Sequence, residues 1–148
     1  MKVAILMGSP RDDEKMAGAS EMLTRFGVEH EVHVMSAHRT PEDVAEFASN
    51  ARSNGFGVII CGAGMAAHLA GVVSAHTTIP VIGVPLSGGI SGGMDALLST
   101  VQMPRGIPVA TVAVDGSANA GVLAVEILSL SNGDLVAQLQ RFRDEGAR

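Results

Sequence analysis

Short apolar runs alternate with longer segments whose apolar positions recur every three or four residues, from one end of the chain to the other. Runs of the first kind fall at residues 3–7, 29–35, 57–61, 80–84 and 109–113. Val-rich and Ile-rich, and flanked by Gly or Pro in most cases, they predict β-strands. Run 3–7 is apolar at every position, as a strand covered on both faces must be. Segments of the second kind predict helices over about 13–26, from Pro41 onward, and over about 66–75, 95–101, 119–130 and 134–145. Two boundaries are written locally. Gly27 closes the first helix, and Thr40 stands as N-cap before Pro41 at the first position of the second. Val44, Phe47 and Ala48 give the second helix its apolar stripe, and Leu135, Leu139 and Phe142 give the last helix another.

Strand and helix alternate throughout, the pattern of βαβ units around a parallel sheet. Five strands with intervening helices predict an α/β fold, a three-layer αβα sandwich with a five-stranded parallel sheet, flavodoxin-like. The 148 residues suit one domain, with no internal repeat, low-complexity segment or linker. In open sheets of this kind ligands bind beyond the carboxyl ends of the strands. The loops that follow the strands are therefore where chemistry is expected.

Composition narrows the function classes. The chain is 47% apolar but only 3% aromatic, with neither Trp nor Tyr, so the core must be built from Val, Ile, Leu, Ala and Met. A net charge of −5 argues against a nucleic-acid surface, and the missing Trp and Tyr remove the usual base-stacking platforms. No apolar run approaches membrane-spanning length, and Lys2 leads directly into a short strand, so neither a membrane anchor nor a signal peptide is expected. A single cysteine, Cys61, excludes an internal disulfide and suits a reducing, cytoplasmic setting. Its apolar surroundings mark it as core. No histidine pair stands at helical ligand spacing, so no metal site is expected.

Three post-strand loops carry candidate chemistry. Gly8-Ser9 ends the first strand, where backbone N–H groups and a hydroxyl could seat a phosphate, with Asp12 able to accept from ribose hydroxyls; a tight turn with a capping aspartate explains the same residues. Ser36-Ala37-His38-Arg39-Thr40 follows the second strand. It sets a histidine, able to move a proton near neutral pH, beside an arginine able to grip a phosphate. Ser36 and Arg39 can reach the anion held by Ser9 if the first two strands are neighbours. Otherwise Arg39 is a partner for Asp12 or Glu42. Gly62-Ala63-Gly64-Met65-Ala66-Ala67-His68-Leu69 follows the third strand, with small side chains that leave room for a flat heterocycle or a small uncharged molecule. His68 offers a further polar contact there, or a structural one. His30, His33 and His76 read as structural or exposed.

Taken together with Val101-Gln102-Met103-Pro104-Arg105-Gly106-Ile107-Pro108, these motifs resemble the PurE family in its class I form, over residues 3–128. The resemblance implies conversion of N5-carboxyaminoimidazole ribonucleotide to 4-carboxy-5-aminoimidazole ribonucleotide in de novo purine biosynthesis, without ATP, metal or organic cofactor. It implies His38 as the acid and then the base, with CO2 trapped between the two steps. It assigns Ser9, Ser36 and Arg39 to the phosphate and Asp12 to the ribose. Gly8, Ala63, Gly64, Met65, His68 and Leu69 complete the substrate and CO2 pocket. It also implies a homo-octamer with sites where subunits meet, the helix at about 134–145 packing on a neighbour. The chain departs from the family pattern in its first loop. Where a glycine-serine-x-serine-aspartate-tryptophan run is usual, it has Gly8-Ser9-Pro10-Arg11-Asp12-Asp13, so Arg11 replaces a serine. Met65 stands for a common glycine, Ala70 for a common proline, and Leu86-Ser87 for a common glutamine-serine. Direct carboxylation by CO2 is the rival activity, which the Ala-Ala-His-Leu context of His68 disfavours. A phospho-receiver would need an aspartate at Cys61-Gly62, and a flavin carrier would use the missing aromatics.

Overall fold

The structure is a computed structural model and describes residues 1–147. Five parallel strands form one sheet: β1 (Lys2–Met7), β2 (His30–Val34), β3 (Phe56–Gly64), β4 (Val81–Leu86) and β5 (Ala110–Thr111). Their order across the sheet is β2-β1-β3-β4-β5. The chain thus winds one way from β1 to β2 and the other way from β3 onward, and the crevice of such a sheet opens where the direction reverses. The expected three-layer α/β sandwich is what forms.

Six helices connect and cover the strands: α1 (Asp13–Arg25), α2 (Pro41–Asn50), α3 (Leu69–His76), α4 (Met94–Val101), α5 (Ser117–Ser129) and α6 (Gly133–Asp144). The period-2 geometry of a strand divides the core between two faces. Val3, Ile5 and Met7 of β1 pack with Val58 and Ile60 of β3 against α1, α5 and α6, which contribute Leu23, Val125 and Phe142 among others. Ala4 and Leu6 pack with Ile59 and Cys61 against Val44 and Ala48 of α2 and Leu69 and Val73 of α3. Cys61 is fully enclosed there, and desolvation drives its thiol far above the ordinary range, so it is inert core.

Boundaries differ from the sequence reading in informative ways. β3 runs three residues further than 61, carrying Gly62, Ala63 and Gly64 into the sheet beside β4. Gly62 is needed there for packing: a Cβ would sit 2.2 Å from the sulfur of Met16, itself in the core. α3 starts at Leu69, not at 66, because Met65 is left-handed (φ 55°) and the chain makes two tight turns before the helix can begin. β5 shrinks to two residues of its predicted five, although the Val112 amide still donates to Gly83 at 3.0 Å. Thr40 stands at the N-cap, but its hydroxyl does not cap the helix. It is used instead to close the preceding loop.

In α6, Leu135 and Phe142 are buried against the chain's own α1 and α5 face, and Val136 is exposed. Among the described residues no helix is long and apolar enough to cross a membrane.

Candidate active site

β1 and β2 are neighbours in register, Met7 beside Val34, so the two loops that follow them leave the sheet side by side. After β1, Gly8-Ser9 leads into a short 3-10 turn, Pro10–Asp12. Ser9 accepts from the Arg11 amide through its hydroxyl (3.3 Å), and its carbonyl accepts from the Asp12 amide (3.0 Å). After β2, the Ser36-to-Thr40 run closes on itself. The Thr40 amide donates to the Ser36 carbonyl (2.8 Å), the Ser36 amide to the Thr40 hydroxyl (3.1 Å) and the Arg39 amide to the Ser36 hydroxyl (3.3 Å). That closure fixes the backbone from which His38 and Arg39 project. Arg39 then reaches across to the first loop, its Nη2 donating to the Gly8 carbonyl at 2.9 Å.

β3 delivers the third loop. The turns at Met65, Ala66 and Ala67 set His68 at the N-cap of α3, and its Nδ1 lies 2.6 Å from Nε2 of His38. The rings meet edge to face with centroids 4.8 Å apart. At that separation one nitrogen donates and the other accepts a single proton. Gly64 lies beneath: a Cβ there would make only ordinary contact with Leu86, 3.5 Å from its carbonyl oxygen, so the protein itself does not demand glycine.

These loops enclose a cavity of about 600 Å³. Every residue that the family resemblance assigned to the substrate site lines it: Gly8, Ser9 and Asp12; Ser36, His38 and Arg39; Ala63, Gly64, Met65, His68 and Leu69. The Val101-to-Pro108 segment does not line it. Its volume falls in the range of small-molecule sites. Asp12 is pushed up from its usual carboxylate range by desolvation, partly offset by Lys15, the Ser9 backbone and Arg39.

The glycine-rich loop after β4 is the wall that sequence reasoning left out of the site. Ser87, Gly88 and Gly89 line the cavity, and two side chains from distant elements hold the loop. Lys15 of α1 donates from Nζ to the Ser87 carbonyl (2.6 Å) and hydroxyl (3.0 Å), while Asp115, just before α5, accepts from the Ser87 amide (2.9 Å). Desolvation acts to raise the Asp115 carboxyl, but the Ser87 hydrogen bonds and the Lys15 charge outweigh it and hold it low. Asp115 adopts a left-handed backbone (φ 57°), which Asp tolerates better than most residues. The glycines of 88–93 were the available signal for this wall; nothing local marks Lys15 or Asp115.

The family model for AIR carboxylase matches residues 2–148. The chain belongs to this family, the PurE family. It is 52% identical over 147 residues to the N5-carboxyaminoimidazole ribonucleotide mutase of Vibrio vulnificus, an alignment covering 98% of this chain and 91% of that one. It is 49% identical over 143 residues to the chloroplastic phosphoribosylaminoimidazole carboxylase of Vigna aconitifolia, covering 97% of this chain but only 26% of the much longer plant protein. Among solved structures, PurE of Treponema denticola superposes with a TM-score of 0.89 at 29% identity, over 98% of this chain and 90% of that one. This PurE-family chain therefore shares both the sequence and the fold of its relatives.

Proposed function

We propose that this chain is an N5-carboxyaminoimidazole ribonucleotide mutase of de novo purine biosynthesis, moving a carboxyl group from N5 to ring carbon C4 through trapped CO2. The observation that carries the reading is one cavity lined both by the His38–His68 pair and by Arg39, which is tied to the Gly8 loop. A nucleotide has both ends to match: a phosphate for the loops and a heterocycle for the histidines. Ser9, Ser36 and Arg39 bind the phosphate, Asp12 the ribose hydroxyls, and Ala63, Gly64, Met65 and Leu69 surround the base and the CO2.

In the first step His38 donates a proton to N5 of the carbamate as its carbon–nitrogen bond breaks, releasing CO2 and the neutral aminoimidazole nucleotide. In the second, C4 attacks CO2, and His38, now the base, removes the C4 proton to restore the aromatic ring. No proton is gained or lost over the cycle. A group that serves as acid and then base works best with a pKa near the operating pH, which imidazole offers. Holding CO2 beside C4 makes its recapture effectively intramolecular. His68, through its 2.6 Å contact, keeps the His38 ring in the orientation both steps need.

The proposed assembly is a homo-octamer with sites at subunit interfaces and α6 meeting a neighbour through its outer face. Ile90, Met94, Leu98 and Val101, exposed together beside the cavity wall, support a covered surface there, and Val136 supports one on α6. Sedimentation of the purified protein tests the assembly. The compartment proposed is the cytoplasm, where the lone thiol of Cys61 stays reduced.

The deciding experiment offers both N5-carboxyaminoimidazole ribonucleotide and aminoimidazole ribonucleotide, each with and without bicarbonate. Turnover of the carboxylated substrate without bicarbonate is expected. Turnover only of the uncarboxylated nucleotide with bicarbonate would assign direct carboxylation instead.

A further inference from the structure

We propose that Arg11 is a phosphate-binding residue of this site, forming with Arg39 a two-guanidinium clamp that supplies the positive charge the neutral donors of the first loop lack. The inference rests on the nucleotide reading above and adds a residue to it.

The 3-10 turn after β1 spends its own N–H groups. Pro10 has none. The Arg11 amide is taken by the Ser9 hydroxyl and the Asp12 amide by the Ser9 carbonyl. What the loop has left for an anion, the Ser9 hydroxyl and the amides ahead of Pro10, is neutral. The charge of a phosphate must then be met by side chains. Of the cations near the cavity, Lys15 is committed to Ser87 and does not line the cavity. Arg39 lines it, with Nη2 on the Gly8 carbonyl and the rest of its donor fork uncommitted. Arg11 lines it, is exposed, and among the described residues its guanidinium makes no hydrogen bond or ion pair.

Charge places the two arginines in the same role. The cavity lining carries two formal positive charges, Arg11 and Arg39, against one carboxylate, Asp12. That excess of one positive charge belongs to a chain whose net charge is −5. Guanidinium groups present paired donors in a rigid fork suited to phosphate oxygens. A serine at position 11 would supply one neutral donor; arginine supplies a charge and a second fork. The consequence is a site that favours the doubly ionised phosphate and loses affinity more steeply with added salt.

The test measures binding of 4-carboxy-5-aminoimidazole ribonucleotide and of its dephosphorylated nucleoside by calorimetry, in the full-length protein and in its Arg11→Ser, Arg11→Gln and Arg11→Lys variants. Arg11→Ser and Arg11→Gln are expected to weaken nucleotide binding and raise KM by about 10- to 100-fold, the range for losing a charged hydrogen bond. Turnover at saturation should stay within about twofold, as for loss of uniform binding. Nucleoside binding should be the same in all four proteins, and Arg11→Lys should recover part of the nucleotide affinity. Unchanged nucleotide affinity in Arg11→Ser overturns the proposal, as does an equal loss for nucleotide and nucleoside, which would mean a structural role. Inorganic phosphate provides an arm independent of the nucleotide: its stabilisation of the wild-type protein against heat should shrink in Arg11→Ser. A phosphate effect that depends on Arg11, in a protein that binds no aminoimidazole nucleotide, would overturn the mutase reading and keep the clamp. A phosphate effect indifferent to Arg11 would overturn the clamp.

Discussion

Nε2 of His38 and Nδ1 of His68 lie 2.6 Å apart although the two residues are 30 positions apart in the chain and come from loops after different strands. One imidazole can hold the other only if a single proton lies between them, so each ring restricts the tautomer and rotation of its partner. His38→Asn is expected to keep nucleotide binding and lose turnover by about 100- to 10,000-fold, the usual contribution of an acid–base group. His68→Leu should lower turnover too, and His68→Asn, which keeps a donor and an acceptor, should retain more. Steady-state kinetics of the three variants checks this, and equal activity for His68→Leu and wild type would remove His68 from the positioning role.

Gly62 and Gly64 are two residues apart on β3 and should respond differently to alanine. At Gly62 the new methyl overlaps buried Met16, an overpacking that costs about 1–3 kcal/mol. At Gly64 the methyl meets only ordinary contacts within the protein and projects where the base and CO2 are proposed to lie. Thermal unfolding should therefore show a loss for Gly62→Ala and almost none for Gly64→Ala, while KM or turnover suffers in Gly64→Ala.

Asp12 gives a pH-dependent expectation. Its folded pKa is raised by desolvation above the usual 3.8, so the folded protein holds that proton more tightly than the unfolded chain does. The ionised carboxylate then weighs against folding above the folded pKa, and the penalty disappears as pH falls below the unfolded value. Asp12→Asn should melt slightly higher than wild type at pH 7, with the difference closing below about pH 4. Nucleotide affinity should fall at the same time, because the ribose hydroxyls exchange a charged acceptor for a weaker neutral one. A lower melting temperature at pH 7 would contradict the assigned sign.

The Ser87 loop should loosen when either of its holders is changed. Lys15→Met removes the donor to the Ser87 carbonyl and hydroxyl. Asp115→Asn keeps an acceptor and a residue tolerant of the left-handed backbone but removes the charge. Faster amide hydrogen exchange at Ser87, Gly88 and Gly89 is expected in both, by about 2- to 10-fold, a weakening comparable to one ordinary hydrogen bond. Asp115 stabilises the fold above its unfolded pKa, and that contribution is lost as pH falls through its lower folded value. In the wild type the same loosening should therefore appear only under acid conditions, below about pH 4.

Met65 lines the cavity with a backbone that argues for a different side chain. Its left-handed φ of 55° costs a non-glycine residue about 1–2 kcal/mol, against about 0.5–1 kcal/mol of extra chain entropy for glycine. Met65→Gly should be neutral to modestly stabilising in thermal unfolding. It should also open the cavity, because the Met65 side chain is 69% exposed along its wall.

By itself the sequence determined the layers, the order of elements and the three loops that form the candidate site. Apolar periodicity is a local property, and a strand buried on both faces, like Val3-Ala4-Ile5-Leu6-Met7, announces itself without its partners. The motifs around Ser9, His38 and His68 were legible for the same reason: each is a short run at the end of a predicted strand. Tertiary structure alone decided how those runs face one another. The pairing of β1 with β2 and β3 converts three separate loops into one cavity, because residues distant in sequence become neighbours only across a sheet. The same holds for Lys15 and Asp115 on Ser87, and for the Arg11 and Asp12 amides turned inward onto Ser9. No local pattern encodes such contacts, since a hydrogen bond depends on where its partner's backbone runs.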